Sequence, residues 1–280
     1  MSVALENEKS NLEFNFSKRD FERLRKLVYE HTGINLSEEK QQLTYGRFAK
    51  RLRALKISDF SDYIDLIDNG DEDEMDHFVS AITTNFTSFF RESHHFDFLA
   101  QEVQRIGMKS RRIRIWSAGC SSGEEPYSIA ISILNAIPDA INWDLKILAT
   151  DLDKKMVEKA SAGIYDAERI SGLPEQIKKG WFRKGRGDNA GKVQVAKEAR
   201  SLITFKDLNL LHDWPVKGPF DIIFCRNVVI YFDKGVQRTL FSKFSAKQRS
   251  GGKLIIGHSE NLANVSNDYK LIGRTIYEKL

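Results

Sequence analysis

Two neighbouring carboxylates, Glu124 and Glu125, follow a glycine-bounded turn in the stretch IRIWSAGCSSGEEPYSIAI, residues 113–131. Ile113 to Trp116 has the apolar, β-branched character of a strand, and Gly119 to Gly123 can make a tight turn. Pro126, Ile129, Ala130 and Ile133 then recur at helical spacing. A dinucleotide site would place pyrophosphate on free N–H groups at the helix start. Here the G-x-G-x-x-G spacing is missing and two negative charges stand where phosphates would lie. Such a turn suits a ligand with hydroxyls or positive charge, and S-adenosylmethionine offers a ribose, an ammonium and a sulfonium. The same pair also fits plain complementation of the helix dipole. A third carboxylate, Asp151, ends the apolar run Leu145 to Thr150, where an acidic side chain can hold both hydroxyls of a ribose or simply cap the next helix.

These groups need a scaffold of alternating strands and helices. Beyond the first strand, the pattern predicts strands over residues 145–150, 202–205, 220–225 and 253–257 and a closing strand over 271–277, with a helix from Asp153 to Ala160. That alternation implies an α/β fold with a mostly parallel, doubly wound sheet, a Rossmann-like methyltransferase domain if the ligand is as expected. Residues 181–204 interrupt it. Three glycines and the alternating Val193 and Val195 predict an inserted small antiparallel β-subdomain, whose edge can accept an added peptide strand or can be a plain surface excursion.

Ahead of this domain the periodicity predicts a small N-terminal helical bundle. Residues 1–15 lack periodicity and are expected to be a flexible start. Residues 16–84 carry four short helices, with Ser17 and Asp20 as a cap pair, Ser37 and Ser58 as further caps, and Asn69-Gly70 as a stop, and Ser93 caps a further helix that leads to the first strand. In the second helix Phe48, Leu52 and Leu55 share a face, so Arg47, Lys50, Arg51 and Arg53 fall on the others, either as a solvated surface or as a dock for an acidic partner. Residues 85–110 form a linker. Within TTNFTSFFRE, residues 83–92, polar Asn85, Thr87 and Arg91 alternate with Phe86, Phe89 and Phe90, so packing should turn some polar groups inward to make a site. The α/β domain is expected over 111–280.

Composition narrows the alternatives. The 280 residues are 41% apolar, enough for a large core, and 43 basic against 39 acidic residues leave +4, which gives no global case for nucleic acid. Cys120 and Cys225 are the only cysteines, too few for a disulfide scaffold. The start has no signal-peptide pattern and no apolar run reaches the roughly 18 residues of a membrane span, so a cytoplasmic protein without membrane insertion is expected. His94-His95 lacks the spacing of a helical metal pair, and no metal is expected. His258-Ser259-Glu260 is not a G-x-S-x-G nucleophile elbow. The sequence also lacks the Pro-Pro pair common after the fourth strand in methyltransferases acting on base amino groups; the position reads CRNVVIYF.

TTNFTSFFRE, WSAGCSSGEEPYSIA, ATDLD, GPFDIIFCRNVVIYFD and GHSEN occur in this order, and with them the chain from about Phe14 to Tyr277 resembles the CheR family of chemoreceptor glutamate methyltransferases. The resemblance implies that Asn85, Thr87, Arg91, Glu125, Asp151, Asn209, Leu210, Arg226 and Asn227 contact S-adenosylmethionine, with Asp151 on the ribose. It implies methyl transfer to glutamate side chains in the helical cytoplasmic region of a receptor, with Arg91 and Tyr231 as candidates for orienting the acceptor carboxylate. It gives Arg47, Lys50, Arg51 and Arg53 a receptor to dock on. Gly185, Gly187 and Gly191 match the subgroup whose β-subdomain binds a peptide at the receptor C-terminus, although Lys192 and Gln194 depart from its adjoining strand. A monomer is expected.

Overall fold

The computed structural model describes residues 13–280, so most of the stretch expected to be a flexible start lies outside the described residues. The described chain forms two compact units, residues 13–31 with 35–82, and residues 32–34 with 83–280.

The first unit contains α1 (Lys18–Thr32), α2 (Gln41–Leu55), α3 (Phe60–Asp68) and α4 (Glu72–Ile82). At the start of α1 the Asp20 carboxylate accepts from Ser17 N at 2.9 Å while Ser17 Oγ accepts from Asp20 N at 3.1 Å, a reciprocal capping box. Phe21, Leu24, Val28, Phe48, Leu52, Phe60, Ile64 and Phe78 interlock in its core. Two expected caps differ. Ser37 makes no side-chain cap bond before the 3₁₀ turn Glu38–Lys40, and α3 is capped by Asp59, whose carboxylate accepts from Asp62 N, rather than by Ser58.

The second unit opens with α5 (His94–Gly107), where Ser93 again makes no side-chain cap bond. It continues through β1 (Arg112–Ala118), α6 (Glu124–Ala136), β2 (Asp144–Asp151), α7 (Lys154–Ala162), β3 (Ile164–Asp166), α8 (Glu175–Trp181), β4 (Phe182–Lys184) and β5 (Lys192–Val195). The chain then forms α9 (Lys197–Ser201), β6 (Ile203–Asp207), β7 (Phe220–Cys225), α10 (Lys234–Lys247), β8 (Gln248–Ile256), β9 (Tyr269–Gly273) and β10 (Ile276–Lys279). The main sheet has the order β6-β2-β1-β7-β8-β10-β9, parallel from β6 to β8. Strand order reverses at β1, which pairs with β2 on one side and β7 on the other, and this opens a crevice beyond the carboxyl ends of these strands. β7 is buried along its whole length, as a central parallel strand must be.

Two elements differ from the sequence expectation. The closing segment is a hairpin, β9 and β10, broken at Arg274-Thr275, where Thr275 has φ 54°; a β-branched residue in the left-handed region gives no local signal of a turn. The small antiparallel sheet has three strands in the order β3-β5-β4 and begins at Ile164, well before residue 181, while Ile203 and Thr204 belong to the main sheet. β3 is only three residues long, too short for a period to show.

Candidate active site

One cavity, lined entirely by residues of the second unit, sits in the crevice at the strand-order reversal. Its walls include Asn85, Thr87, Arg91, Glu125, Asp151, Asn209, Leu210, Arg226, Asn227 and Tyr231, so the residues assigned to cofactor and acceptor by resemblance face one space. Arg47, Lys50, Arg51 and Arg53 lie on α2 of the first unit, and Gly185, Gly187 and Gly191 in the β4–β5 connection.

The turn after β1 sets the floor. Gly123 has φ +96°, and a Cβ there would stand 2.8 Å from Ala160 Cβ, so the tight entry into α6 requires glycine. The two glutamates that follow part company. Glu125 lines the cavity: Oε1 accepts from Ser117 Oγ at 2.7 Å and Oε2 from Arg226 Nη1 at 3.0 Å. Burial raises its pKa, with Arg226 and Ser117 partly offsetting the rise. Glu124, expected to face the ligand beside it, is completely buried, accepts from Ser122 Oγ at 2.6 Å and pairs with Arg169. One carboxylate of the pair meets the cavity and the other is internal.

Asp151 ends β2. Oδ2 accepts from Ser121 N at 2.7 Å and Oδ1 from Asp153 N at 3.0 Å, while the cap of α7 is Asp153, which accepts from Lys155 N. A carboxylate has about four lone-pair positions. Backbone amides take part of that capacity, and Asp151 lines the cavity with the rest. Burial pushes the Asp151 carboxyl up to about 6, against the pull of the Asp153 and Ser121 amides.

The linker forms the opposite wall. From Thr83 to Phe89 alternate residues turn in and out, which points Asn85, Thr87 and Phe89 inward and leaves Phe86 75% exposed. Asn85 Nδ2 donates to Asp153 Oδ2 at 3.0 Å. Arg91 stacks over the Phe86 ring at 5.6 Å and donates to Phe86 O at 3.0 Å. The buried Arg226 closes the corner, donating to Arg91 O at 2.5 Å as well as to Glu125. Phe90, Glu92, Ser121 and Asn227, in or beside these cavity segments, have φ between 48° and 59°. Non-glycine residues there carry local strain, which the surrounding bonds must hold.

What holds the segment after β7 is Glu260. Its carboxylate accepts from four backbone amides: Gly257 N at 2.5 Å and Asn227 N, Val228 N and Val229 N each at 2.9 Å. The sequence offered GHSEN as one block of the resemblance and as a rejected nucleophile elbow, not as an anchor; a buried glutamate 33 residues from Asn227 has no local signature.

The donor set fits S-adenosylmethionine. Asp151 and Glu125 bring carboxylates, and Arg91 and Arg226 cations, to one cavity, the complement of a ligand that carries hydroxyls, an ammonium and a carboxylate. The chain matches two family models, the CheR methyltransferase all-alpha domain over residues 19–83 and the CheR methyltransferase SAM binding domain over residues 85–277. The chain belongs to the CheR methyltransferase family. It is 43% identical over 268 residues to chemotaxis protein methyltransferase 2 of Pseudomonas aeruginosa, covering 95% of each chain. It is 40% identical over 264 residues to the chemotaxis protein methyltransferase of Salmonella typhimurium, covering 93% of this chain and 90% of that one. The Escherichia coli protein of the same name is also 40% identical over 264 residues, covering 93% and 91%. This CheR family member is an S-adenosylmethionine-dependent methyltransferase of chemotaxis.

Among the basic residues of α2, Lys50 is exposed and Arg53, also exposed, pairs with Glu13 at 2.9 Å. Arg47 donates to Ile82 O at 2.5 Å. Arg51 is committed inward: it pairs with the buried Glu74, which also accepts from the buried Tyr63 hydroxyl at 2.9 Å. The hairpin glycines follow from the loop itself. Gly187 and Gly191 have φ of +57° and +83°, and a Cβ on Gly185 would lie 2.1 Å from Asn189 O. No helix among the described residues is long and apolar enough to cross a membrane.

Proposed function

We propose that this cytoplasmic enzyme, acting as a monomer, transfers a methyl group to the side-chain carboxylate of specific glutamates in the helical cytoplasmic region of chemoreceptors. The products are a glutamate methyl ester and S-adenosylhomocysteine. The observation that carries this reading is that a cation, Arg91, and a phenol, Tyr231, share one cavity with Asp151 and Glu125. Asp151 would hold the ribose, and Asn85, Thr87, Glu125, Asn209, Leu210, Arg226 and Asn227 the rest of the cofactor. S-adenosylmethionine supplies an electrophilic methyl. The acceptor needs no general base, because a glutamate with a pKa of about 4.3 is already a carboxylate at neutral pH. Arg91 and Tyr231 then orient that carboxylate, and the rate gain comes from alignment and exclusion of water.

Docking belongs to the exposed part of the α2 set. Lys50 and Arg53, with Arg47 beside them, would meet the acidic receptor bundle, an attraction that salt weakens. Arg51 would contribute to it only by leaving Glu74, so its part is to hold the bundle together. The open edge at β4 of the small sheet would take a receptor C-terminal peptide as a fourth strand, with Gly185, Gly187 and Gly191 shaping the adjoining loop. The test is incubation with methyl-labelled S-adenosylmethionine and receptor cytoplasmic fragments. Base-labile label is expected, and label stable to base would place the methyl on another group.

A further inference from the structure

Residues 83–91, of which 83–87 and 91 line the cavity, belong to no strand or helix, so their position depends on side chains from elsewhere. Two fixings come from one direction. In the 3₁₀ turn Ala167–Ile170, directly after β3, Arg169 donates through Nη2 to Thr87 O at 2.8 Å and pairs with Glu124. Two residues further along, the Phe89 ring meets Tyr165 of β3 and Phe182 of β4 edge-on, each with ring centroids 5.1 Å apart. The Tyr165 hydroxyl donates to Ser122 O at 2.7 Å, which ties the same small sheet to the turn before α6.

The Glu124 pair explains how Arg169 can be held firmly enough to act. Glu124 is fully buried, while Arg169 remains 40% exposed at the side chain. A buried carboxylate is costly without a cation, so the pair is retained and the guanidinium stays over the linker. The same Nη2 that meets Glu124 also donates to the carbonyl of Thr87, a residue that lines the cavity.

We propose that Arg169 is a positioning residue for the cofactor pocket: anchored on Glu124, it fixes the Thr87 backbone and through it the wall that presents Asn85, Thr87 and Arg91. Arg169 does not itself line the cavity, so it acts through Thr87. The small sheet thereby supports the cofactor site in addition to offering an edge to a peptide. The inference rests on the reading that this wall holds S-adenosylmethionine.

Calorimetric binding of S-adenosylhomocysteine tests it, with thermal melting measured on each variant. Arg169→Met alone leaves Glu124 buried without its cation and is expected to fold poorly. The deciding variant is therefore Arg169→Met with Glu124→Gln, which removes both charges together. It is expected to melt close to wild type and to bind about tenfold more weakly, the loss of one charge-assisted hydrogen bond that orders the wall. Arg169→Lys, which restores a charged donor, should recover part of that loss. Double-variant affinity within about twofold of wild type overturns the proposal. Asp151→Ala separates the two levels. Lost binding there with unchanged binding in the double variant rejects only the role of Arg169, whereas unchanged binding in Asp151→Ala rejects the pocket assignment and the inference with it.

Discussion

Lowering the pH should weaken cofactor binding while the contribution of Asp151 to folding stability rises. Burial pushes its carboxyl up to about 6, although the Ser121 and Asp153 amides favour the charged form. The value in the fold lies above the ordinary 3.8, so the folded protein takes up a proton as the pH falls through about 6. The protonated form adds a stability that is fully present below about pH 4 and lost as the pH rises through about 6, up to about 3 kcal/mol for this group. Ribose hydroxyls need an acceptor, so binding follows the carboxylate instead. Affinity for S-adenosylhomocysteine should hold from pH 8 to 7 and then fall about tenfold per pH unit below 6. Asp151→Asn isolates the group from Glu125, whose pKa is also raised. Its oxygen can still accept from Ser121 N, but it cannot titrate, and its NH₂ replaces the acceptor of Asp153 N with a donor that the ligand hydroxyls also meet. Binding by Asp151→Asn should be weak at every pH and flat. Calorimetric titrations from pH 5 to 8 provide the comparison. A wild-type profile that is flat, or one that Asp151→Asn reproduces, would refute the reasoning.

Three further outcomes follow from the contacts. Glu260→Gln keeps one carboxylate-like oxygen but turns an NH₂ toward two of the four amides now bonded, so unfolding in urea should show a loss of about 2–4 kcal/mol, with weaker cofactor binding as the segment carrying Arg226, Asn227 and Tyr231 loosens; a loss below about 0.5 kcal/mol would count against the anchor. Arg51→Met strands the buried Glu74 and should cost about 3–5 kcal/mol in stability, whereas Lys50→Glu should leave melting unchanged and weaken receptor binding most at low salt. Gly123→Ala, forced against Ala160 at positive φ, should lower stability by about 1–3 kcal/mol and impair cofactor binding, measured by melting and calorimetry.

What the sequence reveals here is what depends on local pattern. The unit β1, turn and α6 is legible because strand alternation, glycine and helical spacing lie within twenty residues, and Asp151 is legible because it ends an apolar run. In residues 83–92 the mixing of phenylalanine with polar residues points to inward polar groups, and the extended alternation of Asn85, Thr87 and Phe89 is its physical form. What stays hidden depends on distant partners. Glu124 and Glu125 look equivalent in the chain, yet Arg169, 45 residues away, claims the first and Arg226, 101 residues away, meets the second. Arg51 looks like its basic neighbours until Glu74, 23 residues on, takes it inward. Glu260 is invisible as an anchor because its four partners are backbone amides, which carry no side-chain signature.

The central claim is a glutamate methyl ester made through the cavity that Asp151 lines. Its most direct test is peptide mapping by mass spectrometry of receptor cytoplasmic fragments after reaction with wild-type enzyme and with Asp151→Ala. The account predicts a single methyl addition on defined glutamates, reversed by mild base and absent with the variant. Methyl addition on another residue type, or glutamate methylation undiminished in Asp151→Ala, would contradict it.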